Sequence, residues 1–184
     1  MSSDQPAFYY DLGNPDCYLV AERIMATLPI VPEWEPVLGP EVAPLGAVDR
    51  ERIAARADEL ELLALKWPTV WPPDTTFATL AAAYAKRVGR AVAFSLASFR
   101  QVFAGGRDLG DRNTVLLAAA ACEMHPTALL KGTSLRSVTA ALAQANARAV
   151  AAGVSVLPAI QVGQHLFTGE SAPEQAAVAL GGAR

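Results

Sequence analysis

Cysteine, histidine and runs of basic charge are scarce in this sequence, and each scarcity removes a class of function. Two cysteines, Cys17 and Cys122, occur in 184 residues. That is too few for a disulfide framework, and a reducing compartment would keep both as thiols. Two histidines, His125 and His165, stand apart from each other and from the cysteines, so no pair shows metal-ligand spacing and no metal is expected. The formal net charge is −3 with no run of lysine or arginine, which leaves the counterion-release contribution to nucleic-acid binding without a source. The longest apolar stretches, around Val115 to Ala121 and Ala147 to Ala152, fall far short of the ~20 residues that cross a bilayer. Residues Met1 to Pro6 are polar without a basic segment, unlike a secretory signal. The expectation is a cytoplasmic protein with neither nucleic acid nor membrane as partner.

What is present points to a folded, helix-rich domain: 52% of residues are hydrophobic and 18% charged, enough to bury a substantial core. Ala7 to Leu12, Ala-Phe-Tyr-Tyr-Asp-Leu, is a short aromatic-rich run ended by Gly13 and predicts a buried strand. Cys17, Val20, Ala21, Ile24, Met25 and Leu28 follow at helical spacing. Asn14 suits the N-cap of that helix, Pro15 its first position and Asp16 its positive end. Ile30 to Leu38, interrupted by Pro32 and Pro36, predicts a strand at a sheet edge.

From about Asp49 to Gly153 the pattern is helical, with breaks that divide it into roughly five helices. Phe77, Leu80, Ala81, Tyr84 and Val88 form one predicted core face, and Leu135, Val138, Leu142, Ala145 and Ala149 another. Cys122 lines up with Val115, Ala118 and Ala119 and reads as core. Ala159 to Val162 and His165 to Thr168, joined by Gly163-Gln164, predict a hairpin. Ser171 and Glu174 predict a capping box for a final helix.

Phe8-Tyr9-Tyr10-Asp11-Leu12-Gly13-Asn14-Pro15-Asp16-Cys17-Tyr18-Leu19 resembles the first strand and active-site turn of the DsbA-like superfamily. In DsbA oxidoreductases that turn reads Cys-Pro-x-Cys-Tyr. In 2-hydroxychromene-2-carboxylate isomerases and kappa-class glutathione transferases it reads Ser-Pro-Tyr-Ser. Asn14 stands at the leading Cys or Ser, Pro15 and Tyr18 match, and Asp16 departs from both patterns. Gly153 to Pro158 resembles the loop that carries the family's cis-proline, and Lys66-Trp67-Pro68 with Trp71-Pro72-Pro73-Asp74 resembles the inserted helices of the isomerase and kappa branch. The fold implied is α/β: a thioredoxin-like core of residues 1–40 and 153–184, split by an all-helical insertion of residues 41–152.

The resemblance implies a small-molecule substrate, glutathione or another small thiol as cofactor, and a homodimer. Catalytic roles fall on Asn14 and Cys17. The thiol would be held by Asn14, Leu157, Pro158, Glu170 and Ser171, although the family's Gly-x-Asp-Arg grip reads Gly169-Glu170-Ser171-Ala172 here. Asp16, Tyr18, Trp67 and Trp71 are the expected substrate-cleft residues. Several positions carry two readings. Asn14 is either a plain N-cap or a donor to a thiol sulfur. Cys17 lies on the apolar helix face, which favours an inert buried thiol over a nucleophile. Trp67 and Trp71 either line a cleft or, the favoured reading, staple core to insertion. Three functions follow: a thiol-dependent isomerase or transferase, a redox protein using Cys17 alone, or a non-catalytic binding homologue.

Overall fold

The computed structural model describes residues 5–181. Its sheet has four strands, β1 (Ala7–Tyr10), β2 (Glu33–Pro36), β3 (Ala159–Val162) and β4 (His165–Thr168), in the order β2-β1-β3-β4. β1 runs parallel to β2 and antiparallel to β3, and β3 pairs antiparallel with β4. β2 lies at an edge, where Pro36 leaves no ladder bond unmade. Gly163, in the tight turn between β3 and β4, takes the left-handed backbone that such a turn needs (φ 58°).

β1 is aromatic because both of its faces are covered. Phe8 and Tyr10 have no exposed surface and Tyr9 very little. Phe8 stacks on Tyr10 with ring centroids 5.1 Å apart, and Trp34 of β2 meets Phe8 edge-on at 5.0 Å. Each such ring contributes about 1.5–3 kcal/mol by burial.

The helices are α1 (Pro15–Ala21), α2 (Ile24–Thr27), α3 (Gly39–Val42), α4 (Arg50–Glu59), α5 (Thr76–Arg87), α6 (Ala91–Phe103), α7 (Arg112–Ala121), α8 (Pro126–Thr133), α9 (Arg136–Ala151) and α10 (Ala172–Gly181). The first expected helix is therefore broken, at Glu22-Arg23, and the Arg23 side chain reaches from the break to Glu174 and to the carbonyl of Glu170. Six helices rather than five fill the span from Asp49 to Gly153.

The predicted face of α5 is also corrected. Val88 is exposed, and the buried set is Ala78, Thr79, Ala81, Ala82, Ala83 and Ala85. Small side chains let α5 serve as a hub, touching β2, α6, α7, α8 and α9. The approach to α8 is close enough that a methyl group added at Gly132 would overlap the Tyr84 ring. Leu135, expected on the inner face of α9, is instead its exposed N-cap residue.

One continuous core joins β1, α1, α5, α6 and α7, and α6 packs directly on α1. The fold is thioredoxin-like. Because β1 and β3 are antiparallel neighbours, the residues after Tyr10 and those before Ala159 meet at the same sheet end. Parallel pairing delivers the residues after Pro36 there too.

Candidate functional site

Asn14 sits where these strand ends converge. Its backbone is extended (φ −94°, ψ 118°), and its side-chain Oδ1 accepts from the N–H groups of Asp16 (2.9 Å) and Cys17 (3.2 Å). The cap reading is therefore realised in full. The same side chain does more, since its Nδ2 donates to the carbonyl oxygen of Leu157 (3.3 Å). The Leu157-Pro158 peptide bond is cis, and both residues are buried.

Beside this contact lies a pocket of about 200 Å³. Pro40, Ala43, Pro44, Leu45, Pro72 and Pro73 supply apolar walls, and Leu157 closes one side. The polar lining is Asp11, Asn14 and Thr75. Such a site, smaller than a drug-sized cavity, suits one arm of a small ligand.

Asp11, at the end of the predicted strand, is the buried carboxyl of the site at 8% exposure. Its Oδ1 accepts from the Gly13 N–H (2.6 Å) and its Oδ2 from the Gly39 N–H (2.8 Å). Gly39 must be glycine, because an added Cβ would overlap the Asp11 carboxylate. Burial raises the Asp11 carboxyl above its usual range, while the two N–H groups and the adjacent Thr75 hydroxyl oppose that rise. The signal available in sequence was an aspartate two residues before a glycine at a strand end, the pattern of a side chain folding back on its own turn.

Cys17 has no exposed surface, and burial pushes its thiol well above the usual range, with the Asp11 and Asp16 carboxylates adding to the effect. It is an inert thiol in this state. Cys122 is also buried, and its Sγ donates to the carbonyls of Ala118 and Ala119 (3.3 Å each).

The other expected site residues lie elsewhere. Asp16 turns from the pocket to a two-pronged pair with Arg52 (2.8 and 3.0 Å). Glu170 is held by Arg56 and, at 3.5 Å, by Arg52, so its carboxylate is already neutralised away from Asn14. Ser171 is exposed and its hydroxyl accepts from Gln175 Nε2 (3.2 Å). The expected capping box fails because Glu174 pairs with Arg23 instead of folding back on its own helix.

Tyr18 is buried against Phe103 (5.3 Å between centroids), and burial, helped by Glu22, pushes its phenol up to about 12. Trp67 meets Trp71 edge-on at 5.1 Å, both pack against Phe103, and the Arg50 guanidinium stands over Trp67 at 4.7 Å. None of Asp16, Tyr18, Trp67 and Trp71 lines the pocket, whose wall from that region is Pro72-Pro73. The two indoles instead staple the loop before α5 to α6.

Among the described residues no group of three or more His, Cys, Asp or Glu side chains is placed to hold a metal ion, and no helix is long and apolar enough to cross a membrane.

None of the curated proteins matches this chain. Among solved structures it is similar to 2-hydroxychromene-2-carboxylate isomerase, with a TM-score of 0.83 at 15% identity over 97% of this chain and 95% of that one. It is also similar to a probable DsbA oxidoreductase from Streptomyces coelicolor, with a TM-score of 0.77 at 16% identity over 98% and 91%. A thioredoxin-like oxidoreductase from Silicibacter pomeroyi gives 0.63 at 20% identity over 98% and 86%. At such identities the likeness is one of fold. Residues 7–181 match the DSBA-like thioredoxin domain, and the chain belongs to that family.

Proposed function

We propose that this protein binds a small thiol, glutathione or a shorter relative, in the Asn14–Leu157 pocket and uses it to isomerise or derivatise an apolar small-molecule electrophile. One observation carries the reading: the pocket is bounded by Asn14 and Leu157, two of the five residues that the family resemblance assigns to thiol binding. Asn14 has a second amide hydrogen beyond the one given to Leu157. The shared fold with 2-hydroxychromene-2-carboxylate isomerase supports the same direction. Glu170 and Ser171 take no part in the proposed grip, because arginines hold the first and the second is turned to Gln175.

Titration calorimetry with glutathione and with 2-mercaptoethanol tests the proposal. A saturable heat and a raised Tm at millimolar thiol are expected, both lost in Asn14→Ala. Neither heat nor Tm shift with either thiol overturns it.

A second reading, a binding homologue without turnover, is favoured by the three hydrogen bonds that already engage the Asn14 side chain. Thiol binding with no turnover of conjugated electrophiles would select it. Redox use of Cys17 alone has the weakest support, since the thiol is wholly buried.

A further inference from the structure

We infer that Asp11 accepts the proton of a thiol seated between its carboxylate and the Asn14 amide, an assignment that rests on the small-thiol reading. Counting hydrogen-bond capacity leads there. A carboxylate offers about four lone-pair positions. The Gly13 N–H and the Gly39 N–H occupy two of them, one on each oxygen, and Asp11 borders the pocket. The Asn14 amide has two hydrogens, of which the Leu157 carbonyl takes one. The polar lining thus offers acceptor capacity on Asp11 and a donor on Asn14, and a thiol satisfies both through a single atom: S–H toward Asp11, a sulfur lone pair toward Asn14.

The alternative source of thiolate stabilisation in such a fold is the start of the first helix. Here that start is already used, because Asn14 Oδ1 takes the N–H groups of both Asp16 and Cys17. No lysine or arginine lines the pocket among the described residues. A preformed thiolate would therefore meet a carboxylate without a compensating cation, whereas a neutral thiol would not. In the proposed step the S–H bond breaks, an O–H bond forms on Asp11, and the electron pair stays on sulfur. One negative charge passes from carboxylate to thiolate, where the free Asn14 N–H meets it. The proton on Asp11 is then available to the carbon or oxygen that gains charge when sulfur adds to the electrophile.

The environment suits this exchange. Burial raises the Asp11 carboxyl toward the thiol range, narrowing the gap that proton transfer must cross. From α1 the titratable neighbour is Cys17, kept neutral by burial; the start of α3 and Thr75 bring only neutral groups.

The test is infrared and ultraviolet difference spectroscopy of the full chain titrated with glutathione and 2-mercaptoethanol near neutral pH. The expected result is a thiolate absorbance and a protonated-carboxyl band that rise together and saturate at the same thiol concentration. S-Methylglutathione, with no proton to give, should produce neither. Asp11→Asn should abolish the carboxyl band and cut the thiolate signal about ten-fold or more. If that variant does not fold, the wild-type infrared spectrum still decides. Thiolate absorbance without a carboxyl band overturns the assignment and leaves the thiol reading standing. Absence of any thiol binding overturns both.

Discussion

Asn14 Nδ2 donates to the carbonyl oxygen of Leu157 at 3.3 Å, bridging 143 positions of sequence with one side-chain hydrogen bond. The other end of the same amide caps α1, so a single residue fixes both the helix start and the loop before β3.

Replacing Asn14 separates those roles. Asn14→Ala removes cap and bridge together and should cost about 2–3 kcal/mol, a cap being worth ~1 and a buried hydrogen bond with an orphaned partner 1–3. Asn14→Ser keeps a cap but is too short to reach Leu157, so its cost should be smaller by about 1 kcal/mol. Urea denaturation of the two variants measures the difference. Equal losses would mean that the bridge to Leu157 contributes nothing.

Cys17 should resist iodoacetamide in the folded protein and react only on unfolding. Its thiol pKa is raised by burial above the usual 9.0. A group raised in the folded state contributes stability that is complete below its unfolded value and lost as pH climbs through the folded one. The protein should therefore lose stability above about pH 9, and Cys17→Ala should flatten that alkaline limb. Rapid labelling of native protein at neutral pH would contradict the burial of the thiol.

Glu35 and Asp16 both pair with arginine, and their contexts separate them. The Glu35 side chain is 3% exposed and accepts from Arg148 at 3.0 Å on both oxygens and from Lys86 at 2.8 Å. Glu35→Gln should cost about 2–4 kcal/mol, reduced from the full value for a buried pair because both cations retain some contact with water. Asp16→Asn breaks an exposed pair with Arg52 and should cost under ~1 kcal/mol, less still at high salt. Denaturation midpoints at low and high salt test the order.

Gly132→Ala pits two effects against each other. Alanine improves helix propensity by about 1 kcal/mol, but its methyl group would overlap the Tyr84 ring, where α8 meets α5. Overpacking costs typically 1–3 kcal/mol, so net destabilisation of about 1 kcal/mol is expected by thermal or urea unfolding. Coupling the change to Tyr84→Ala should relieve the overlap.

The sequence carried the sheet end well because its signals are local. Asn14-Pro15 marks a helix start by hydrogen-bond geometry and a fixed φ, and Gly163-Gln164 marks a hairpin by turn chemistry; both appear where expected. The buried face of α5 departs from the predicted one for a physical reason. Large apolar residues suggest a core stripe, but close helix packing here selects alanine, leaving Val88 outside. The pocket was the least legible part, since its walls come from segments around residues 40–45, 72–75 and 157 that only the strand order brings together. Asp16 and Glu170 carried plausible chemistry in sequence, but two arginines of α4 claim them, and no spacing rule reports a partner more than thirty residues away.

The overlap between a side chain at position 39 and the Asp11 carboxylate ties two distant positions into one unit of inheritance. A relative that keeps the acid at position 11 is bound to keep glycine at 39, and one that loses the acid is released from that constraint. The pair therefore serves as a two-letter signature for this pocket in sequences too divergent to align confidently anywhere else.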